Sequence, residues 1–218
     1  NLSVIHMAGG DWERGILYAE QSLAMKQRIG DVEGVGISYN NLGMAHKDRG
    51  DLERARECLL QSLATAKRIQ NPTLLTSTLS NLGQVAFLAG ELPAAAGYLQ
   101  ESERVARESG MREQIVEALA LATEVWTRAG DLERAAAASD EATELAGELG
   151  SRPALAQSLR GVAVLRQAEG RPAEAIEALQ GALAHFNELG NQIEIGRTRF
   201  HLALALASRL DFEEAMEQ

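Results

Sequence analysis

The sequence predicts an all-α protein, a solenoid of antiparallel helix pairs. Gly10, Gly50, Gly90, Gly130 and Gly170 recur every forty residues, and an unbroken period of this length marks a repeat array. A small residue stands five places after each of them, as Gly15, Ala55, Ala95, Ala135 and Ala175; a sixth copy keeps Asp211 and Ala215 but has Leu210 in the glycine position. Aromatic residues are only 4% of a chain that is 45% hydrophobic, and alanine and leucine carry most of the apolar content. That balance suits thin helices packed closely and argues against a β-sandwich.

Residues 31–70 illustrate one unit. Gly30-Asp31 breaks the chain, and Val35, Ile37, Tyr39, Leu42 and Ala45 then recur at helical spacing to about Arg49. Gly50 supplies a left-handed stop and Asp51 a cap for the next helix. Leu52, Ala55, Leu59, Leu63 and Ala66 mark that second helix, which ends before Gln70-Asn71-Pro72, where the proline suits a first helical turn. The same breaks return at 109–110, 149–153 and 189–191, leaving room in each unit for two helices and two tight turns. The expected helices are 1–9, 11–29, 32–49, 52–69, 72–89, 92–109, 112–129, 132–149, 152–169, 172–189, 192–209 and 212–218. They form one array with units 1–30 (partial), 31–70, 71–110, 111–150, 151–190 and 191–218 (partial), about five and a half repeats in all. Leu2, Ile5 and His6 align forty residues upstream of Leu42, Ala45 and His46, so the chain reads as a piece of a longer protein.

Read by column, the units share small residues at fixed places. One column is Gly15, Ala55, Ala95, Ala135, Ala175, Ala215; a second is Ser22, Ser62, Ser102, Ala142, Ala182; a third is Gly43, Gly83, Thr123, Ala163, Ala203. Such residues let helix backbones approach closely, while Leu42, Leu82, Val162, Leu202, Leu59, Leu99 and Leu179 fill the space between. Gly36, Gly97, Gly147 and Gly181 fall inside helices, where each costs up to ~1 kcal/mol unless close packing compensates.

Net charge is −10 with a pI near 5.0, which disfavours nucleic acid and anionic membranes as partners. The single cysteine, Cys58, excludes an internal disulfide and fits a cytoplasmic location. No stretch is apolar enough to span a membrane. Eighteen arginines against three lysines, with abundant alanine and glycine, fit a GC-rich bacterial coding sequence.

The leucine-small pairs Leu42-Gly43 and Leu82-Gly83, followed by Ala55 and Ala95 and then Ser62 and Ser102, resemble the tetratricopeptide repeat. The family's ordinary unit is about 34 residues. The longer unit here resembles the variety found in LGN/Pins, in kinesin light chain, and in the sensor arrays of bacterial signal-transduction ATPases and transcriptional regulators. HEAT-type repeats have a similar period, but the small-residue columns favour the tetratricopeptide repeat. The resemblance implies a right-handed superhelix with the first helix of each pair lining a concave groove. Its positions would be Ile37, Asn40, Met44, Lys47 and Asp48 in the second unit and Ser77, Ser80, Gln84, Phe87 and Leu88 in the third. The fourth and fifth would supply Glu117, Ala120, Glu124, Thr127, Arg128, Gln157, Arg160, Val164, Gln167 and Ala168, and the sixth Arg197, Phe200, Leu204, Ala207 and Ser208.

Ten of these are the expected ligand-binding set: Asn40, Met44, Lys47, Gln84, Phe87, Glu124, Arg128, Arg160, Arg197 and Phe200. Met44, Phe87 and Phe200 can take apolar anchors, although Phe87 and Phe200 fit packing against the next repeat equally well; Arg160 and Arg197 can hold carboxylates in bidentate fashion, and Asn40 resembles asparagines that pin an extended peptide in kinesin light chain-like arrays. Leu88 and Leu204 are expected to pack against a following repeat.

No catalytic or metal set stands out. His6 and His46 share a column without a third ligand, so packed histidines are expected there; His185 and His201 have no evident companions. Cys58 replaces Tyr18, Tyr98 and Ala138 in its column, which favours a structural role. Gly-Asp-Leu-Glu-Arg at 50–54 and 130–134 lacks the ending of a phosphate loop and recurs as a turn. The expected function is therefore a non-enzymatic, cofactor-free module that binds a protein or peptide, with self-association open. A structural spacer or oligomerisation arm is the second reading, and a small-molecule-sensing array the third.

Overall fold

In the computed structural model, residues 12–217 are described, and side chains from 13 to 209. Ten α-helices and no strands are found among them: α1 Trp12–Ile29, α2 Val32–Arg49, α3 Leu52–Ile69, α4 Pro72–Leu88, α5 Leu92–Glu108, α6 Arg112–Ala129, α7 Leu132–Leu149, α8 Arg152–Ala168, α9 Pro172–Leu189 and α10 Gln192–Glu217. The expected helix at 1–9, with His6, lies outside the described residues.

The caps are those the repeat calls for. Asp31, Asp51, Asn71 and Asp131 each accept the backbone N–H three residues on, satisfying an orphan donor of the first turn. Gly50 closes α2 at φ 88°. Gln70 closes α3 at φ 51°, the one non-glycine residue at positive φ among those described. The expected break at 210–211 is absent, and α10 runs through it as a single helix of 26 residues. Leu210 cannot enter the left-handed region as the glycines do without a cost of roughly 1–2 kcal/mol, so the helix continues.

The contacts divide the chain into two compact units, 1–110 and 111–218. In the first unit, α2 pairs with α3 and α4 with α5, α1 packs on α2, and α2 touches α4. Ile16, Ala19, Leu23, Leu42 and Ala45 form one cluster, joined by Cys58, and Ala55, Leu59, Leu82 and Val85 another. In the second unit, α6 pairs with α7 and α8 with α9, and α10 packs on α9. Ala163, Ala175, Ile176, Leu179 and Ala205 cluster there, as do Ala156, Ala182, Phe186 and Ile195.

The small-residue columns are the helix seams. Ala55, Ala95, Ala135 and Ala175 are fully buried, as are Ser62, Ser102 and Ala182. A Cβ added at Gly43 would lie 2.5 Å from Leu59 Cγ, and one at Gly83 2.8 Å from Leu99. Close packing also explains Gly36, which faces Leu74 and Thr65, and Gly181, which faces Leu159; Gly97 and Gly147 have nothing within 4 Å.

Candidate functional site

In the first unit, helical spacing places Ile37, Asn40, Met44 and Lys47 along one side of α2 and Ser77, Ser80, Gln84 and Phe87 along α4. The polar members of this set are turned on one another. Lys47 Nζ donates to Gln84 Oε1 at 2.8 Å and sits 3.5 Å from Asp48. Asn40 Oδ1 accepts from Thr78 Oγ1 at 3.3 Å and from Asn81 Nδ2 at 3.1 Å, and its amide nitrogen faces Met44 Sδ at 3.9 Å. Ser80 shares a hydrogen bond with Ser102. Asn40, Lys47, Ser80 and Asn81 are all buried. A buried polar group needs a partner, and these stitch α2 to α4 and α4 to α5. Asn40 and Lys47 thus lie within the wall, where an open groove position was expected. Ile37, Met44 and Leu88 remain exposed, and Phe87 is half-buried.

The second unit has a different chemistry. Arg160, on α8, donates from Nε to Glu124 of α6 at 3.0 Å and from Nη1 to Glu194 of α10. Arg197 reaches Glu194 at 3.2 Å. The side chains of Arg160, Glu124 and Glu194 are 8%, 13% and 21% exposed. Burial pulls the Arg160 pKa down, but the two carboxylates outweigh it and hold the guanidinium charged, with its pKa above the ordinary value. Arg160, expected to hold carboxylates of a ligand, here holds two from within the unit. The reason is energetic, since a buried guanidinium without a counter-ion would cost several kcal/mol. Ala120 is likewise buried, with position 161 approaching its carbonyl.

Arg197 is one-third exposed. Phe200 and Leu204 are exposed, and Arg128 is exposed too. His201 does have companions: it meets Phe200 edge-on at 6.0 Å, and burial lowers its pKa against the pull of Glu124.

Sequence reasoning missed Thr78, Asn81 and Glu194. Their signal is the separation from their partners: 38 for Asn40 and Thr78, 41 for Asn40 and Asn81, and 34 for Arg160 and Glu194. Polar residues about one repeat apart, 34 to 41 residues here, meet on adjacent first helices.

Elsewhere, His46 is buried with Nδ1 unpartnered, and burial lowers its pKa. Cys58 is half-buried and burial raises its thiol pKa, which favours packing over nucleophilic chemistry. An open depression of about 600 Å³ is lined by Tyr39, Glu57, Cys58, Leu60 and Gln61, mostly from a second helix. No cluster of three metal-ligating side chains occurs among the described residues. None of their helices is long and apolar enough to cross a membrane.

The tetratricopeptide-repeat family matches residues 1–68 and 35–108. No curated protein matches the sequence. Among solved structures, the chain is similar to a Rap protein complexed with Competence and Sporulation Factor, at 18% identity and TM-score 0.67, covering 96% of this chain and 63% of that one. It is similar to a putative kinesin light chain from Podospora anserina with nearly identical TPR-like repeats, at 17% identity and TM-score 0.65, covering 88% and 94%. A third similar structure is a signal transduction ATPase with numerous domains from Pyrococcus horikoshii, which has a tetratricopeptide repeat sensor. There the identity is 16% and the TM-score 0.69, over 94% of this chain and 31% of the other. The chain thus spans under two thirds of the Rap protein and about a third of the ATPase. At these identities the likeness is one of fold. With antiparallel helix pairs among the described residues and the repeat's sequence over residues 1–108, the chain belongs to the tetratricopeptide-repeat family.

Proposed function

We propose that this chain is a non-catalytic interaction module that binds a peptide segment or protein partner on its first-helix faces, as the adaptor or sensor part of a larger, cytoplasmic bacterial signalling protein. One observation carries the reading. In the first unit, Ile37, Met44 and Leu88 stay exposed on the side where Lys47–Gln84 and Asn40–Asn81 have already joined the helices. Those apolar side chains do not hold α2 to α4, so they are available to a ligand. Each Å² of apolar surface a partner covers there gains roughly 25 cal/mol, and the buried pairs keep the face in shape. The sensor role of the repeats in the similar ATPase, and the complex formed by the similar Rap protein, support this reading for the present chain.

The test is selection of a displayed random-peptide library on the intact chain, repeated on Ile37→Glu/Met44→Glu/Leu88→Glu. The three side chains are exposed, so helicity should be retained, as far-UV circular dichroism would show. The expected result is enrichment of peptides with spaced apolar residues, lost on the variant. Equal recovery on both proteins would count against this face, and no enrichment on either would favour the spacer reading.

A further inference from the structure

The apolar face of the first unit carries a side chain with redox chemistry. Met44, on α2, is 38% exposed, and oxidation of its thioether to a sulfoxide turns a flexible apolar side chain polar. What singles it out is the residue one helical turn before it. Asn40 is 7% exposed, and its Oδ1 accepts from Thr78 Oγ1 at 3.3 Å and from Asn81 Nδ2 at 3.1 Å. Both acceptor sites of that carbonyl are therefore taken, and turning the amide over would set its NH2 against the NH2 of Asn81. Asn40 Nδ2 is thereby held facing Met44 Sδ, 3.9 Å away. A thioether is only a weak acceptor, so this buried N–H lacks a full hydrogen bond. An oxygen on the sulfur would supply the acceptor.

We propose that Met44 is a reversible oxidation site: a hydroperoxide converts it to the sulfoxide, the Asn40 amide holds the new oxygen, and the face between Ile37 and Leu88 releases its ligand. The release rests on the interaction role proposed for this face; the oxidation and the hydrogen bond do not. In the oxidation a sulfur lone pair attacks the terminal peroxide oxygen. The S–O bond forms, the O–O bond breaks, and the proton of the transferred hydroxyl moves to the departing alkoxide, which leaves as an alcohol, or as water from hydrogen peroxide. The sulfur is oxidised by two electrons and the peroxide reduced by two. Two thiols reverse the step, becoming a disulfide as the oxygen leaves in water. On the oxidised face an apolar ligand would have to cover a sulfoxide oxygen, and burying a polar group in apolar contact is unfavourable.

The test oxidises the intact, isotope-labelled chain with hydrogen peroxide and follows it by peptide mapping and by its side-chain amide resonances. Met44 is expected to gain one oxygen alongside Met25, which is 65% exposed. The Asn40 amide protons should move downfield as the stronger acceptor arrives, in the parent and not in Met44→Leu. The two methionine sulfoxide reductases with dithiothreitol should restore the starting spectrum. The proposal is overturned by a Met44 that stays reduced while Met25 is consumed, or by a Met44 sulfoxide that leaves the Asn40 amide unmoved. Binding is read with a peptide recovered from the displayed library. Oxidation should weaken it about tenfold, as should Met44→Gln, whose Oε1 stands where the sulfoxide oxygen would. Met44→Leu should keep its affinity through peroxide treatment. Unchanged binding by the oxidised parent overturns the switch. If the library yields no peptide, the interaction role falls and the release with it, whereas the Asn40 resonance still decides where the oxygen is held.

Discussion

Adding one methyl group to two glycines of the first unit should move stability in opposite directions. At Gly43 an added Cβ would stand 2.5 Å from Leu59 Cγ, 2.8 Å from its Cδ2 and 3.1 Å from the Ala55 carbonyl oxygen. Carbon atoms pack best at about 3.5–4.0 Å, so Leu59 must retreat by about an ångström. It is fully buried and has no solvent to retreat into, and the Ala55 carbonyl belongs to the backbone of α3. Overpacking of this kind costs roughly 1–3 kcal/mol, against a gain of up to ~1 kcal/mol from replacing a mid-helix glycine with alanine. Gly43→Ala is therefore expected to destabilise by about 1–2 kcal/mol. Gly97 also lies mid-helix, in α5, with nothing within 4 Å of an added Cβ, so Gly97→Ala keeps the gain of ~0.5–1 kcal/mol. Urea unfolding followed at 222 nm should separate the two variants by about 2 kcal/mol, with the parent between them. A double-mutant cycle with Leu59→Ala should show the glycine substitution becoming cheaper once the leucine is shortened. If Gly43→Ala proved as stable as Gly97→Ala, the close seam between α2 and α3 would not set the tolerance at position 43.

Arg160→Ala should destabilise the second unit by about 3–5 kcal/mol in urea titration, because Glu124 is left buried without its cation. Arg160→Met/Glu124→Gln/Glu194→Gln should recover most of that loss, and failure to recover would mean that shape, not charge, holds α6, α8 and α10 together. For His46, burial holds the imidazole pKa below 6.5 despite the nearby Asp51 and Glu20, so the folded chain binds fewer protons than the unfolded one. Its contribution to stability is present above pH 6.5 and is lost as the pH falls from there towards the folded value. The melting temperature should drop between pH 7 and 5, and more shallowly in His46→Ala; parallel slopes would remove His46 as a source.

Much of the helix framework was legible because its determinants are local. A left-handed glycine stop followed by an Asp or Asn cap needs no tertiary information, and Gly50-Asp51 and Gly130-Asp131 do what they do as short peptide motifs. Leu210 shows the limit of reading by analogy: five good copies made a sixth break look inevitable, but the residue that carries out the break was missing. The candidate site was legible only in outline. Free polar side chains at Asn40, Lys47 and Arg160 would suit a ligand, but each is buried against a partner on the neighbouring first helix. Met44 and Phe200, apolar residues of the same set, are exposed.

The sequence by itself determined the repeat, the helix pairs and the small-residue seams, because these follow from backbone sterics and from side-chain volume recurring at a fixed period. Tertiary structure decided which polar residues are spent inside the wall and which apolar ones are left outside it. That division depends on which side chains adjacent first helices bring together within each unit: Arg160 meets Glu124 and Glu194, whereas Ile37, Met44 and Leu88 stay exposed.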